Sequence, residues 1–216
     1  RQMCIRDRAS LGLAPAGDVF LQSVVEEECT GNGALACLAR GYRADAAFIP
    51  EPLLPMLMRA QVGPMWFQVQ VEGDPQHASA AFTGAGANAI QKATFLIQAL
   101  DELEARWNGR KCDHRHFCDH PHPIRFNLGK IAGGDWPSSV PAWCTFDMRV
   151  AVYPGQSLEE ARAEIEAFVA QAAARDPFLA KHPPKVIYHG FMAEGYELKD
   201  SDDVEAALRS AHEQVF

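Results

Sequence analysis

Between Met65 and Val71 the chain alternates, with Phe67, Val69 and Val71 on one face and Gln68 and Gln70 on the other, which predicts a half-buried strand. Asn88 can cap a long helix striped by Ile90, Ala93, Ile97, Leu100 and Leu103 and ended by Asn108-Gly109. Ile124 to Ile131 reads as a strand, and Cys144, Phe146, Met148, Val150 and Val152 alternate through the next. Ser157 with Glu160 forms a capping box that opens a helix striped by Leu158, Ala161, Ile165, Phe168 and Val169. Lys185 to Phe191 supplies a last strand. The order β-α-β-β-α-β predicts a four-stranded antiparallel sheet with two helices on one face, the ferredoxin-like arrangement.

Upstream, Asp18 to Val25 is a β-rich run read as a buried strand, and Gly31 to Gly33 opens a short helix carrying Ala34, Leu35 and Leu38 that Gly41 stops. Ala46 to Ile49 is a second short strand closed by Pro50-Glu51-Pro52. Strand, helix, strand with turns between is an α/β fragment, expected to be parallel. Downstream of Ser201, Val204, Ala207, Leu208 and Ala211 fall in helical register. The expected organisation is therefore a partial parallel-sheet domain over 9–62, an inserted ferredoxin-like domain over 63–192, and a return to the first domain over 193–216. The outer pieces are too small to close an α/β core alone, so the chain is expected to be a fragment. Residues 1–8, RQMCIRDR, read as foreign, in the manner of a translated sequencing adapter.

Apolar residues make up 48% of the 216 positions, enough for a core, and the net charge of −8 with no basic run argues against nucleic acid or an anionic membrane as partner. No apolar run approaches the roughly 20 residues of a membrane helix, and no signal peptide is legible. The six cysteines show no disulfide framework, which points to a reducing, cytoplasmic compartment.

The chemistry concentrates in Glu26-Glu27-Glu28, where a predicted strand meets a turn. Like charges at a strand tip mean either full solvation, as an exposed acidic turn, or a cation nearby. The surroundings favour the cation. Glycines allow a tight turn, and a second strand delivers Glu51 between two prolines, so both acidic groups lie at carboxyl ends of strands, where α/β sheets bind ligands.

The run SVVEEECTGNGALACLARGYRADAAFIPEP resembles the zinc amidohydrolase family of acetylornithine deacetylase, succinyl-diaminopimelate desuccinylase, aminoacylase and the glutamate carboxypeptidases. LGLAPAGDVFLQSVVEEECTGNGA is most similar to its deacetylase-like members, and the resemblance extends from Ala9 to Phe216. It implies that Glu27 is the general base, that Glu28 and Glu51 are zinc ligands, and that Glu26 holds the usually acidic preceding position. Carboxylates bind zinc at about 2.0–2.2 Å, and two zincs activate a bridging water that a carboxylate base deprotonates. Cobalt or manganese could replace zinc.

The resemblance also makes His77, in VEGDPQHASAAF, a catalytic residue of the lid that reaches the partner's site to stabilise an oxyanion. A lone histidine after a strand is otherwise a surface residue. Arg149, opposite the apolar face of its strand, would bind a substrate carboxylate, with Ser139 and Asn88 as further substrate contacts. Where relatives have Asn-Val-x-Pro, this chain has Ser139-Val140-Pro141 after Ser138, so serine replaces the asparagine. No His-x-Asp motif occurs anywhere in the chain. The bridging aspartate is expected upstream of Ala9 and a late histidine beyond Phe216, so this polypeptide alone is expected to be inactive.

Two remaining motifs carry less. Gly84-Ala85-Gly86 reads as a helix N-terminus rather than a dinucleotide loop. Cys112, His114, His116, Cys118, His120 and His122 could hold a metal, but the spacing matches no zinc module, and a polar loop is the expectation. The function implied is hydrolysis of a linear amide in an N-acylated amino acid such as N-acetylornithine, by a homodimer joined through the lid. The alternatives are a dipeptidase or carboxypeptidase of the same family and a non-catalytic dimerisation module.

Overall fold

The computed structural model describes residues 10–12, 14, 16–51, 56–84, 86–199 and 202–215. The octapeptide 1–8, Pro52, Ala85, Ser201 and Phe216 lie outside the described residues. The chain divides into two units, Arg1–Pro50 and Glu51–Phe216.

The second unit holds the expected β-α-β-β-α-β order. After β1 (Ala60–Gln61) come β2 (Gly63–Glu72), α2 (Ala89–Gly109), β3 (Phe126–Gly133), β4 (Trp143–Val152), α3 (Leu158–Ala173) and β5 (Lys185–Met192), where α1 is the helix Asn32–Ala39 of the first unit. β6 (Tyr196–Glu197) and α4 (Asp202–Val215) follow. The four long strands form one antiparallel sheet in the order β3-β4-β2-β5.

Alternation decides the faces. Met65, Phe67, Val69 and Val71 of β2 and Cys144, Phe146, Met148 and Val150 of β4 are buried in one core with residues of α2 and α3. Trp66, Gln68 and Gln70 of β2 and Asp147 and Arg149 of β4 take the other face, with Trp66 opposite Arg149 and Gln68 opposite Asp147. Fully burying a large apolar side chain contributes about 1.5–3 kcal/mol, so this face holds the domain together.

Asn88 caps α2, its side chain accepting from the Gln91 N–H at 3.1 Å, and the Ser157–Glu160 capping box is complete. The core stripe of α2 runs Ala89, Ala93, Leu96, Leu100, Leu103 and Trp107, not through Ile90, which is 36% exposed, or Ile97, which is only partly buried. The small residues Ala89 and Ala93 let the helix sit close to the sheet and turn the flanking isoleucines to the rim.

β1 and β6 pair antiparallel as a short ladder of their own, Ala60 against Glu197 and Gln61 against Tyr196. Chain entering and chain leaving the sheet meet just beyond it. A Cβ on Gly63 would lie 2.1 Å from the Ala193 carbonyl oxygen, and one on Gly195 would lie 2.9 Å from the Pro154 nitrogen, so this crossing has no room for side chains. Arg59 grips Glu205 of α4 through two guanidinium nitrogens, and Glu205 is 7% exposed.

Two expectations are corrected. The strands expected at Asp18–Val25 and Ala46–Ile49 do not form among the described residues, and the parallel pair with them is absent there. Neither segment has a ladder partner among the described residues, and without a hydrogen-bonded neighbour an apolar run is not part of a sheet. Second, Cys112 and Cys118 form a disulfide, where no bonded pair was expected. Turns after α2 fold the chain back, bringing their Cα atoms to 4.2 Å, and local folding of that kind cannot be read from cysteine spacing.

Candidate functional site

The acidic turn is organised by its first glutamate. Glu26 has φ of 61°, in the left-handed region, and its carbonyl accepts the N–H groups of Cys29, Thr30 and Gly31. Its carboxylate accepts from the Thr30 hydroxyl at 2.7 Å and the Asn32 amide at 2.8 Å. The Thr30 bond, then the Asn32 bond, hold its pKa below the usual glutamate value. Gly31, also left-handed, then enters α1, and Gly33 lies so close to Val25 that a Cβ would stand 2.5 Å from its carbonyl oxygen. Glu26 is thus committed to the turn, while Glu27 and Glu28 are exposed.

Glu51 is exposed and is the first residue of the second unit, whereas Glu27 and Glu28 belong to the first. Among the described residues no three His, Cys, Asp or Glu side chains form a group able to hold a metal ion.

Two of the candidate residues of the second unit, His77 and Ser139, do come together. His77 and Ser139 face each other in an isolated antiparallel bridge, secured by Ala78 N–H to the Ser138 carbonyl at 2.9 Å and Val140 N–H to the Gln76 carbonyl at 2.8 Å. A second bridge pairs Asp74 with Ala87, the residue before Asn88, and Ala89 N–H donates to the Pro141 carbonyl. Gly73 makes the weave possible, since a Cβ there would meet the Pro141 and Ala87 carbonyls at 2.4 and 2.5 Å.

The bonds around His77 fix its proton. The Ser79 backbone N–H donates to Nδ1 at 3.2 Å, and the Ser79 hydroxyl lies 2.6 Å from the same nitrogen. A backbone N–H can only donate, so Nδ1 is the acceptor and the neutral ring carries its hydrogen on Nε2. In that neutral tautomer the ring's donor is Nε2–H, and His77 is exposed. Ser79 was not anticipated, although a serine two residues after a candidate histidine is a legible signal for such an orienting turn.

Ser139 and Asn88 are partly committed elsewhere. The Ser139 hydroxyl donates to the Trp136 carbonyl at 3.0 Å, and Asn88 Oδ1 serves as the helix cap. Arg149 is not part of this cluster. It lies on the uncovered face, opposite Trp66 on β2 and Asn127 on β3, and from Trp143 to Arg149 the strand runs roughly 20 Å. Trp66 and Asn127 are the neighbours that sequence reading did not supply, because cross-strand register is invisible before the strands are paired.

A four-stranded antiparallel sheet covered on one face by two helices, with a histidine-bearing loop cluster at one end, defines the class: an α/β domain of ferredoxin-like type. Residues 59–177 match the M20 peptidase dimerisation domain, and the chain belongs to that family.

Over 182 residues the chain is 32% identical to N-formyl-4-amino-5-aminomethyl-2-methylpyrimidine deformylase of Halalkalibacterium halodurans, covering 81% of this chain and 42% of that protein. Over 161 residues it is 29% identical to acetylornithine deacetylase of Erwinia tasmaniensis, covering 74% of this chain and 40% of that protein. The chain thus spans about two fifths of the length of the curated relatives it matches. A hydantoinase/carbamoylase family amidase from Burkholderia ambifaria shares the fold at a TM-score of 0.51 and 13% identity, over 71% of this chain and 34% of that one.

Proposed function

We propose that this chain is part of a two-zinc amidohydrolase that removes an acyl group from the nitrogen of a small, carboxylate-bearing substrate such as an N-acylated amino acid. The observation that carries the reading is exposed His77, whose Nδ1 is held by Ser79 so that the neutral ring keeps Nε2–H as its donor, in a domain of the M20 family. In this proposal 9–62 and 193–216 belong to a catalytic domain and 63–192 is its lid. Lids of two copies form a homodimer, and each His77 serves the partner's site. Deformylase and deacetylase relatives favour an amide outside a peptide bond over a dipeptide.

The donors present suit the metal in kind. Glu28 and Glu51 offer hard carboxylate oxygens that would help hold zinc, and cobalt or manganese would accept the same set. Further ligands must come from the rest of the full-length protein, so the fragment alone is inactive in this reading. Bound zinc would supply polarisation of the scissile carbonyl and a water acidic enough to react near neutral pH. Glu27 takes the proton from the attacking water and returns it to the leaving amine. His77 Nε2–H donates to the oxyanion of the tetrahedral intermediate. Arg149 pairs with the substrate carboxylate, and Ser139 and Asn88 line the approach with the donor and acceptor capacity their structural bonds leave free.

No helix among the described residues is long and apolar enough to cross a membrane. A cytoplasmic setting is proposed, in which a bonded Cys112–Cys118 pair belongs to the redox-responsive class of disulfides.

The test is a graft. Residues 59–195 replace the matching segment of a full-length family deacetylase, and hydrolysis of its N-acyl substrate is followed. His77→Ala in the graft should lower kcat by about 10²–10³ with little change in KM, as loss of an oxyanion donor does. A graft that hydrolyses equally well with alanine at 77 overturns the role of His77.

A further inference from the structure

The loop between α2 and β3 holds the other concentration of reactive side chains, and the acidic site uses none of them. Its ends are fixed without help from the cysteines. The Asn108 side chain bonds both the N–H and the carbonyl of Ile124, at 3.1 and 3.0 Å. Glu104 accepts from the Phe126 N–H at 2.6 Å and meets His122 at 2.5 Å, and Lys111 Nζ donates to the His120 carbonyl. What the disulfide adds is control of the middle. Between Cys112 and Cys118 the chain carries His114, stacked on the Tyr153 ring at 4.0 Å, and Phe117, 8% exposed and edge-on to the same ring at 5.4 Å. His116, inside the same ring of atoms, has φ of 73°, a conformation that a side-chain-bearing residue adopts at a cost when nothing holds it. Tyr153 itself is 2% exposed. It precedes Pro154, which packs at the glycine crossing where chain enters and leaves the sheet. Both cysteines are exposed, so a thiol in solution can reach the bond.

We propose that Cys112–Cys118 is a thiol-responsive latch: as a disulfide it holds His114 and Phe117 over Tyr153, and reduction by a dithiol releases this segment while the anchored loop ends stay in place. The chemistry is thiol–disulfide exchange. One thiolate of the dithiol attacks a loop sulfur, breaking the S–S bond and forming a mixed disulfide. The second thiolate closes the dithiol's own disulfide. Two electrons and two protons pass to the loop, leaving Cys112 and Cys118 as thiols and the dithiol oxidised.

The purified chain, prepared in air, is compared before and after dithiothreitol. Iodoacetamide should leave Cys112 and Cys118 unlabelled before reduction and label both after it. Trypsin should cleave after Arg115 at least tenfold faster in the reduced protein. Hydrogen exchange should rise in 112–118 but stay unchanged in β2 and β4. The double variant Cys112→Ser/Cys118→Ser should be cut at the reduced rate with or without dithiothreitol. Should that variant fold poorly, hydrogen exchange on the wild-type chain in its two redox states still discriminates. Labelling of both cysteines in the air-prepared protein, or equal cleavage and exchange in the two redox states, overturns the latch.

Discussion

The first unit and the sheet domain both carry the apolar runs that strands and helices need, yet only one of them buries those runs. In the sheet domain Met65, Phe67 and Val69 are wholly buried, whereas in the first unit Phe20 is 51%, Leu35 61% and Ile49 77% exposed. Helix α1 has no buried residue at all among those described, while α2 buries Ala89, Ala93, Leu96, Ala99, Leu100, Leu103 and Trp107. The lesson is that an apolar pattern is a demand rather than a structure. β2 satisfies it because β4 and β5 flank it and α2 covers it. The run 18–25 makes the same demand with no strand beside it among the described residues.

The sharpest way to test that contrast is to cut into the satisfied side. Phe67 is fully buried in the central strand and packs against Tyr188 at 6.1 Å between ring centroids. Phe67→Ala should destabilise the chain by about 3–5 kcal/mol, the lost transfer energy plus a cavity, read as a shift of the urea midpoint. A loss below about 1 kcal/mol would mean that the sheet core is not the source of stability.

The same contrast explains what could be read in advance. The β-α-β-β-α-β order was legible because each element carries its own period and its own stop signal, such as Ser157 with Glu160 or Asn108-Gly109. Candidate site residues were legible where a motif is local, as around His77, whose orienting partner Ser79 lies two residues away. What depends on pairing was not: Trp66 and Asn127 beside Arg149, the bridge joining His77 to Ser139, and the disulfide at 112 and 118. Each is a meeting of segments set by tertiary register, which a linear pattern does not encode. The predicted strands at 18–25 and 46–49 failed for the same reason.

A smaller effect is expected where the two covering helices are tied together. Asp176, just beyond α3, accepts from Lys92 of α2 at 2.6 Å and from the N–H groups of Phe178 and Leu179 at 2.9 and 3.0 Å. Burial pushes its pKa upward, but the Lys92 and backbone bonds outweigh this and leave it below the usual aspartate value. A carboxyl depressed in the folded state stabilises the fold above its unfolded pKa, and that stabilisation is lost as pH falls through the folded value. Asp176→Asn should therefore cost about 1–3 kcal/mol near neutral pH, and the difference from wild type should shrink as urea titrations are repeated in progressively more acidic buffer. A difference that is constant across the acid range would assign the cost to altered packing rather than to the charge.

The smallest effect belongs to the unsatisfied side. Leu38 of α1 is 49% exposed, and the helix it belongs to buries nothing. Trimming a side chain that already faces water removes little transfer energy and opens no cavity, so Leu38→Ala should change stability by no more than about 0.5 kcal/mol, with alanine's helix propensity offsetting part of any loss. The measurement is the same urea titration, with hydrogen exchange over Asn32–Ala39 as a local readout. A penalty approaching that of Phe67→Ala would mean that the apolar face of α1 is covered in solution, and the contrast between the two regions would fail there. A small penalty in this chain, together with a large one for the same substitution in a full-length relative, would instead show that α1's apolar face is completed by sheet residues the relative supplies.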